Sequence, residues 1–240
     1  MNTTRTLRPI PLGLTALVAL FSALAALAVS NGMAMGHNTP AHSAKAPMAM
    51  TMTVHRPHEL SAKAVALQMD MRKLWEDHIT WTRLAIISLE GGTPDTNATV
   101  ARLLQNQVDI GDAIKPYYGD AAGNELAGLL RTHILIAADL IAAAKAGNAA
   151  DVANVQARWE QNADDIAAFL NKANPRHWKL DEMRAEMHMH LQLTTDEAIA
   201  HLKGEWDADV AAYDKVHVHI LHMSDLLANG IIEQFPSRFH

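Results

Sequence analysis

Fourteen histidines and twelve methionines, in a chain of 240 residues without a single cysteine, are the side chains most able to do chemistry. Thioether sulfur is a soft ligand and imidazole a borderline one, a pairing that suits Cu(I), Cu(II) or Ag(I). They fall into two groups. Between residues 31 and 58, Met33, Met35, Met48, Met50 and Met52 alternate with His37, His42, His55 and His58. That stretch has three prolines and no helical or strand period, so it reads either as a flexible metal-scavenging arm or as a low-complexity spacer. The second group is set into helical pattern. His78, His133 and His190 each stand fourteen residues ahead of a glycine: Gly92, Gly147 and Gly204.

The elements that must position this second group follow from apolar spacing and turn signals. Helices are predicted over about 59–90, 96–115, 121–146, 148–173, 180–203 and 205–234, divided by Gly91-Gly92, Pro116, Gly147, Asn174-Pro175 and Gly204. No segment reads as a strand, so the class is all-α. Asp139 and Asp196 each follow their histidine by six residues, and the run Arg102–Ile110 parallels Arg158–Ile166. The chain is therefore expected to be a six-helix bundle built from three αα-hairpin repeats. From Leu126 to Ala144 the strongly polar members are Arg131, Thr132, His133 and Asp139. That helix is expected to be buried nearly all round.

Each hairpin carries a polar pair at i and i+3 on its returning helix: Asn106/Asp109, Asn162/Asp165 and Asp214/His217. At 1.5 Å of rise per residue the first two pairs come level with His78 and His133. Residues two apart on a helix point about 200° apart, so neither His188 with His190 nor His217 with His219 can share one ion. His190 and His217 are taken as core ligands beside His78, His133, Asp109, Asp165 and Asp214. His188, His219 and His222, near Met189 and Met223, form an outer group. Core hydrogen bonding that fixes helix register is the competing use of the same pairs. Glu76 or Asp77 could be a general base beside a His-bound metal, or merely surface charge.

Composition narrows the function. Without cysteine there is no disulfide framework, thiolate site or Cys nucleophile. A formal charge of −6 argues against nucleic acid as a partner. Arg5 and Arg8, then an apolar stretch from Ile10 to Val29 ending in small residues, read as a signal peptide over residues 1–30. Its removal would leave no stable membrane anchor and send the chain to the periplasm or the medium. No phosphate loop, nucleophile elbow, His-Glu-x-x-His or Glu-x-x-His motif is present.

Several strings resemble a family of exported bacterial all-helical proteins often labelled glycosyltransferase. They are Leu74-Trp-Glu-Asp-His78, Leu104-Gln-Asn-Gln-Val-Asp-Ile110, Tyr117-Tyr-Gly119, His133-Ile134, Asn162-Ala-Asp164, Tyr213-Asp-Lys-Val-His-Val-His-Ile220 and Gln234-Phe-Pro236, and they cover about residues 70–239. The resemblance implies a helical fold and weight on the His, Asp and Asn positions, and it names no reaction. A nucleotide-sugar transferase would look like an α/β chain with acidic motifs at strand ends, which this sequence lacks.

The expected organisation is a signal peptide at 1–30, a Met/His-rich segment at 31–58 and a helical domain at 59–240. The expected function is binding of a transition metal, copper above others, by an exported bundle. The alternatives are an enzyme using the same His/Asp pocket on a metal or a small molecule, and a purely structural or stress-related bundle.

Overall fold

The computed structural model describes residues 60–240; the signal-like stretch and the Met/His-rich segment lie outside the described residues. Five helices follow one another: α1 (Ala62–Gly91), α2 (Thr96–Ala146), α3 (Ala149–Ala173), α4 (Leu180–Lys203) and α5 (Trp206–Gln234), with a short 3-10 turn at Pro236–Arg238. No strand occurs among the described residues, and the protein is all-α. Each helix packs on the next in the chain, and α5 returns to pack on α1, so the elements close a ring. Arg72 on Asp225 and Gln68 on Asn229 bridge that closing seam.

Local signals set the boundaries. Ser61 caps α1 by accepting from the Ala64 N–H, and Asn148 caps α3 by accepting from that of Asp151. Helices α1, α2 and α4 all end on a left-handed glycine: Gly92, Gly147 and Gly204. Pro116 does not end its helix as expected. Losing one N–H leaves the preceding turns intact, and the break falls at Gly119, whose φ of 85° and ψ of 167° only glycine adopts readily. The stretches on either side of Gly119 lie against each other. A Cβ added at Gly111 would stand 2.5 Å from the Gly123 carbonyl oxygen and 2.8 Å from the Ala127 Cβ.

The core repeats in register around the three histidines. Three residues before them stand Trp75, Leu130 and Met187, and seven before stand Met71, Leu126 and Met183, all buried. One residue after them, Ile79, Ile134 and Leu191 are buried too. Much of the methionine excess in the described residues is thus core filling, a use suited to a flexible apolar chain. The part of α2 beyond Gly119 is not buried all round, contrary to expectation: Arg131, Thr132, Leu135 and Asp139 are exposed. Alanine fits either a core or a surface, so an Ala-rich helix looks more buried in sequence than it is.

The contact across Gly111 makes a graded stability test. Gly111→Ala should cost about 2–3 kcal/mol by overpacking against backbone. Gly128→Ala, with nothing within 4 Å of the added Cβ, should instead stabilise by about 0.5–1 kcal/mol. Urea denaturation of the two variants measures both signs.

Candidate functional site

Midway along the bundle, four imidazoles meet. The ring centroid of His190 lies 5.8 Å from that of His78, 6.1 Å from that of His133 and 6.2 Å from that of His219. His78, His133 and His190 are buried. Trp75 stands edge-on to His78 at 5.5 Å, and Trp159 lies beside His133 at 5.1 Å.

One hydrogen bond recurs three times and holds this layer. Asn106 Nδ2 donates to the Leu74 carbonyl (3.0 Å), Asn162 Nδ2 to the Leu129 carbonyl (3.2 Å), and His219 Nε2 to the Glu186 carbonyl (3.1 Å). Each acceptor lies four residues before His78, His133 or His190, one turn along the same helix. Each donor follows its histidine by 28 or 29 residues. The bond satisfies a carbonyl and levels one helix against the next.

Electrostatics follow from burial. Desolvation, with the neighbouring His133 adding to it, pushes His78 down to about 3. Desolvation pushes His133 down to about 4, partly offset by its bond to Asn162, and holds His190 well below the usual histidine range. All three are uncharged at neutral pH. His133 Nδ1 lies 2.8 Å from Asn162 Oδ1. Because that oxygen can only accept, Nδ1 carries the hydrogen and Nε2 keeps its lone pair. His133 Nε2 and His190 Nδ1 are buried without a hydrogen-bond partner. The Gln107 amide nitrogen lies 3.3 Å from His78 Nδ1.

The expected ligands divide. His78, His133 and His190 come together, as sketched above, but His217 does not join them. It lies on the outside of α5, 3.1 Å from Glu76 and stacked on Tyr213. His219 takes the inner place, because α5 packs through Val216, Ile220, Met223 and Leu227, and His219 borders that stripe. Asp109 and Asp165 turn away from the histidines and accept from Gln105 and Gln161 at the surface. An i+3 step carries them about 60° off the face of Asn106 and Asn162. Asp214 is exposed. His188 pairs with Asp164 at 3.0 Å, and His222 lies 3.5 Å from Glu186. Met223 is core and Met189 is exposed. Asp77 is spread between Lys73 and Arg102. Among the described residues, no group of three or more His, Asp or Glu side chains is already spaced to hold a metal ion.

Two features escaped the sequence reading. Arg83 reaches Glu197 (2.7 Å) and both oxygens of Asp209 (2.8 and 3.0 Å), and His201 adds a contact to Asp209 at 3.0 Å. Burial pushes Glu197 up to about 7 even against Arg83. Burial would also raise Asp209, but the bonds from Arg83 and His201 outweigh it and hold that carboxyl low. A signal was present: Glu197 stands seven residues after His190, where the other stretches have Ala85 and Leu140. The second feature is an apolar cavity, about 80 Å³ in its enclosed part and open to solvent beyond it, between the His layer and the glycine turns. Glu90 on its lining is pushed up to about 8 by burial, with Asp209 nearby.

Comparison with protein-family models, with curated proteins and with solved structures finds no match.

The imidazole layer makes the metal-free protein acid-sensitive. Unfolded imidazoles titrate near 6.5, well above His78 and His133 in the fold. Between those values only the unfolded chain binds the proton. Their contribution is therefore complete above about pH 6.5 and falls with pH at about 1.4 kcal/mol per unit for each imidazole. Glu90 and Glu197 run oppositely, since their raised values favour the folded state at low pH and lose that advantage as pH rises. Urea titrations from pH 7 to 4 should show net loss of stability on acidification. His78→Gln, whatever its stability at pH 7, should lessen that slope by about 1.4 kcal/mol per unit.

Proposed function

We propose that this protein binds a transition metal, copper above others, with His78, His133 and His190 as the ligands of its tightest site. The observation that carries the reading is His133: Asn162 orients the ring through Nδ1, while Nε2 keeps a buried, unpartnered lone pair beside His190. A carbonyl on one ring nitrogen and a free lone pair on the other is the arrangement of metal-ligating histidines. An unmet imidazole nitrogen in a core costs about 1–3 kcal/mol, which an ion would relieve. Ring spacing supports it as well. Two imidazoles sharing an ion at 2.0–2.1 Å have centroids roughly 5–6.5 Å apart, and the His78–His190 and His133–His190 distances are 5.8 and 6.1 Å.

The reading extends to the rest of the chain. Residues 31–58, rich in Met and His, serve as a weaker capturing arm, and residues 1–30 as an export signal. The helices form three diverged hairpins, with the break at Gly119 as the first internal boundary. The left-handed glycines and the recurring bond to the carbonyl one turn before each histidine support that division. The exported helical family resembled by the sequence is a fitting relation. The rival reading makes the imidazoles register-fixing core groups, and the same three bonds favour it.

Cu(I) titration against a chelator, on the tag-free metal-free chain, decides between them. We expect one site markedly tighter than the rest, retained when 31–58 is deleted and lost in a His133→Gln/His190→Gln double variant. Asn162→Ala, which leaves every proposed ligand in place, should weaken it about 10–100-fold. Binding that survives the double variant, or vanishes with the arm, would leave the layer a structural device.

A further inference from the structure

Beyond the His layer the bundle opens. The cavity there lies among the last three turns of α1 and α4 and the end of α2, with Trp159 of α3 on its wall. Its origin is in the sequence. Below the layer Met71, Trp75, Leu126, Leu130, Met183 and Met187 leave only a small void of about 20 Å³, whereas Ala85, Ala137, Ala138, Ala144 and Ala198 are among the residues lining the larger space above. Protein interiors normally close such voids, because each leaves its lining short of dispersion contacts. Here alanines from α1, α2 and α4 stand among larger apolar groups such as Ile86, Leu89, Ile141 and Leu202, and the space between them is not closed.

The polar atoms on the lining are few and uneven. Thr82 and Thr194 bond back to the carbonyls of His78 and His190, so they are satisfied. Thr195, 7% exposed, has a buried hydroxyl with no partner, and Glu90 Oε2 and the uncharged Trp159 Nε1 are buried without one as well. Thr195 comes five residues after His190, and Glu90 twelve after His78. Since the histidines share one level, the Thr195 hydroxyl and the Glu90 carboxyl are separated along the bundle by roughly 10 Å of helix rise. The hydroxyl lies nearer the His layer and the carboxyl nearer the glycine turns, the end at which Lys203 also lines the cavity.

We propose that this cavity is a binding site for one uncharged, chain-like apolar molecule of roughly eight to ten carbons bearing a hydroxyl or carbonyl group, its polar end meeting Thr195 and its chain running along the alanine-lined walls towards Glu90. Neutrality follows from the end nearer the His layer, where the nearest polar groups are uncharged imidazoles and a hydroxyl. A charged head placed there would be desolvated with no opposite charge to meet it. The raised Glu90 carboxyl fits the same picture, since a protonated acid adds no net charge at the other end. The site is separate from the proposed metal ligands, and the test uses metal-free protein, so either reading can fail alone.

The experiment is calorimetric titration of the metal-free full chain with 1-decanol, decane, decanoate and decylammonium, all below their solubility or micellar limits. We expect saturable one-to-one uptake of decanol, weaker uptake of decane and little of either ion. Ala198→Phe should abolish uptake by filling the space. Thr195→Val, isosteric and therefore safe for the fold, should weaken decanol about five- to tenfold and leave decane unchanged. The proposal is overturned if the wild-type chain takes up no decanol, if Thr195→Val treats decanol as the wild type does, or if decylammonium binds better than decanol, which would make Glu90 a counter-ion site.

Discussion

Three uncharged imidazoles buried at one level constrain nearly everything else in this bundle. Each costs desolvation unless its surroundings are arranged for the neutral form. The arrangement comes from side chains on the following helical stretch, Asn106, Asn162 and His219, which donate to the carbonyls of Leu74, Leu129 and Glu186. A side chain that reaches across to the backbone of a facing helix cannot do so from a neighbouring turn, so each bond sets a height as well as a partner. The apolar residues then fall into levels above and below the layer. This is why the residues one after, three before and seven before the three histidines are buried in all three stretches.

The levels are not equivalent. Below, long methionines and tryptophan leave only a small void along the bundle axis. Above, alanines leave space, and the acidic and basic groups that might have been expected at a surface turn partly inward. Arg83 meets Glu197 and Asp209 at the flank of the opening. A buried carboxylate such as Glu197, 1% exposed, is tolerated only beside such a partner. The Arg83 guanidinium also lies 4.9 Å from the Tyr213 ring centroid, which ties α1 to α5 on the same side.

The all-α class was legible because apolar spacing and turn glycines are local signals. The levels of His78, His133 and Asn162 were legible too, because a fixed count of residues from a glycine turn becomes a fixed height. What could not be read was rotation about each helix axis. His217 and His219 are two residues apart and point opposite ways, and the choice between them depends on which apolar stripe α5 presents to its neighbours. Asp109 and Asp165 went astray similarly, an i+3 step being close enough in sequence to suggest a shared face and far enough in angle to reach solvent. Glu90 and the cavity were hidden for a different reason. An absence of bulk emerges only when the alanines of several helices are seen to face one another.

The ring also has a consequence for how the molecule assembles. Most packing between helices joins elements adjacent in the chain, and such contacts lose little entropy on closing. The largest exception is the seam between α1 and α5, where Gln68 meets Asn229 and Arg72 meets Asp225 across more than 150 residues, and Arg83 meets Asp209. The first two pairs are exposed polar groups, individually weak, whereas the third is part-buried. The bundle thus resembles a chain of links fastened by one clasp. The links join helices that follow one another in the chain, whereas the clasp needs both ends of the described domain and gives the open row of helices its closed interior.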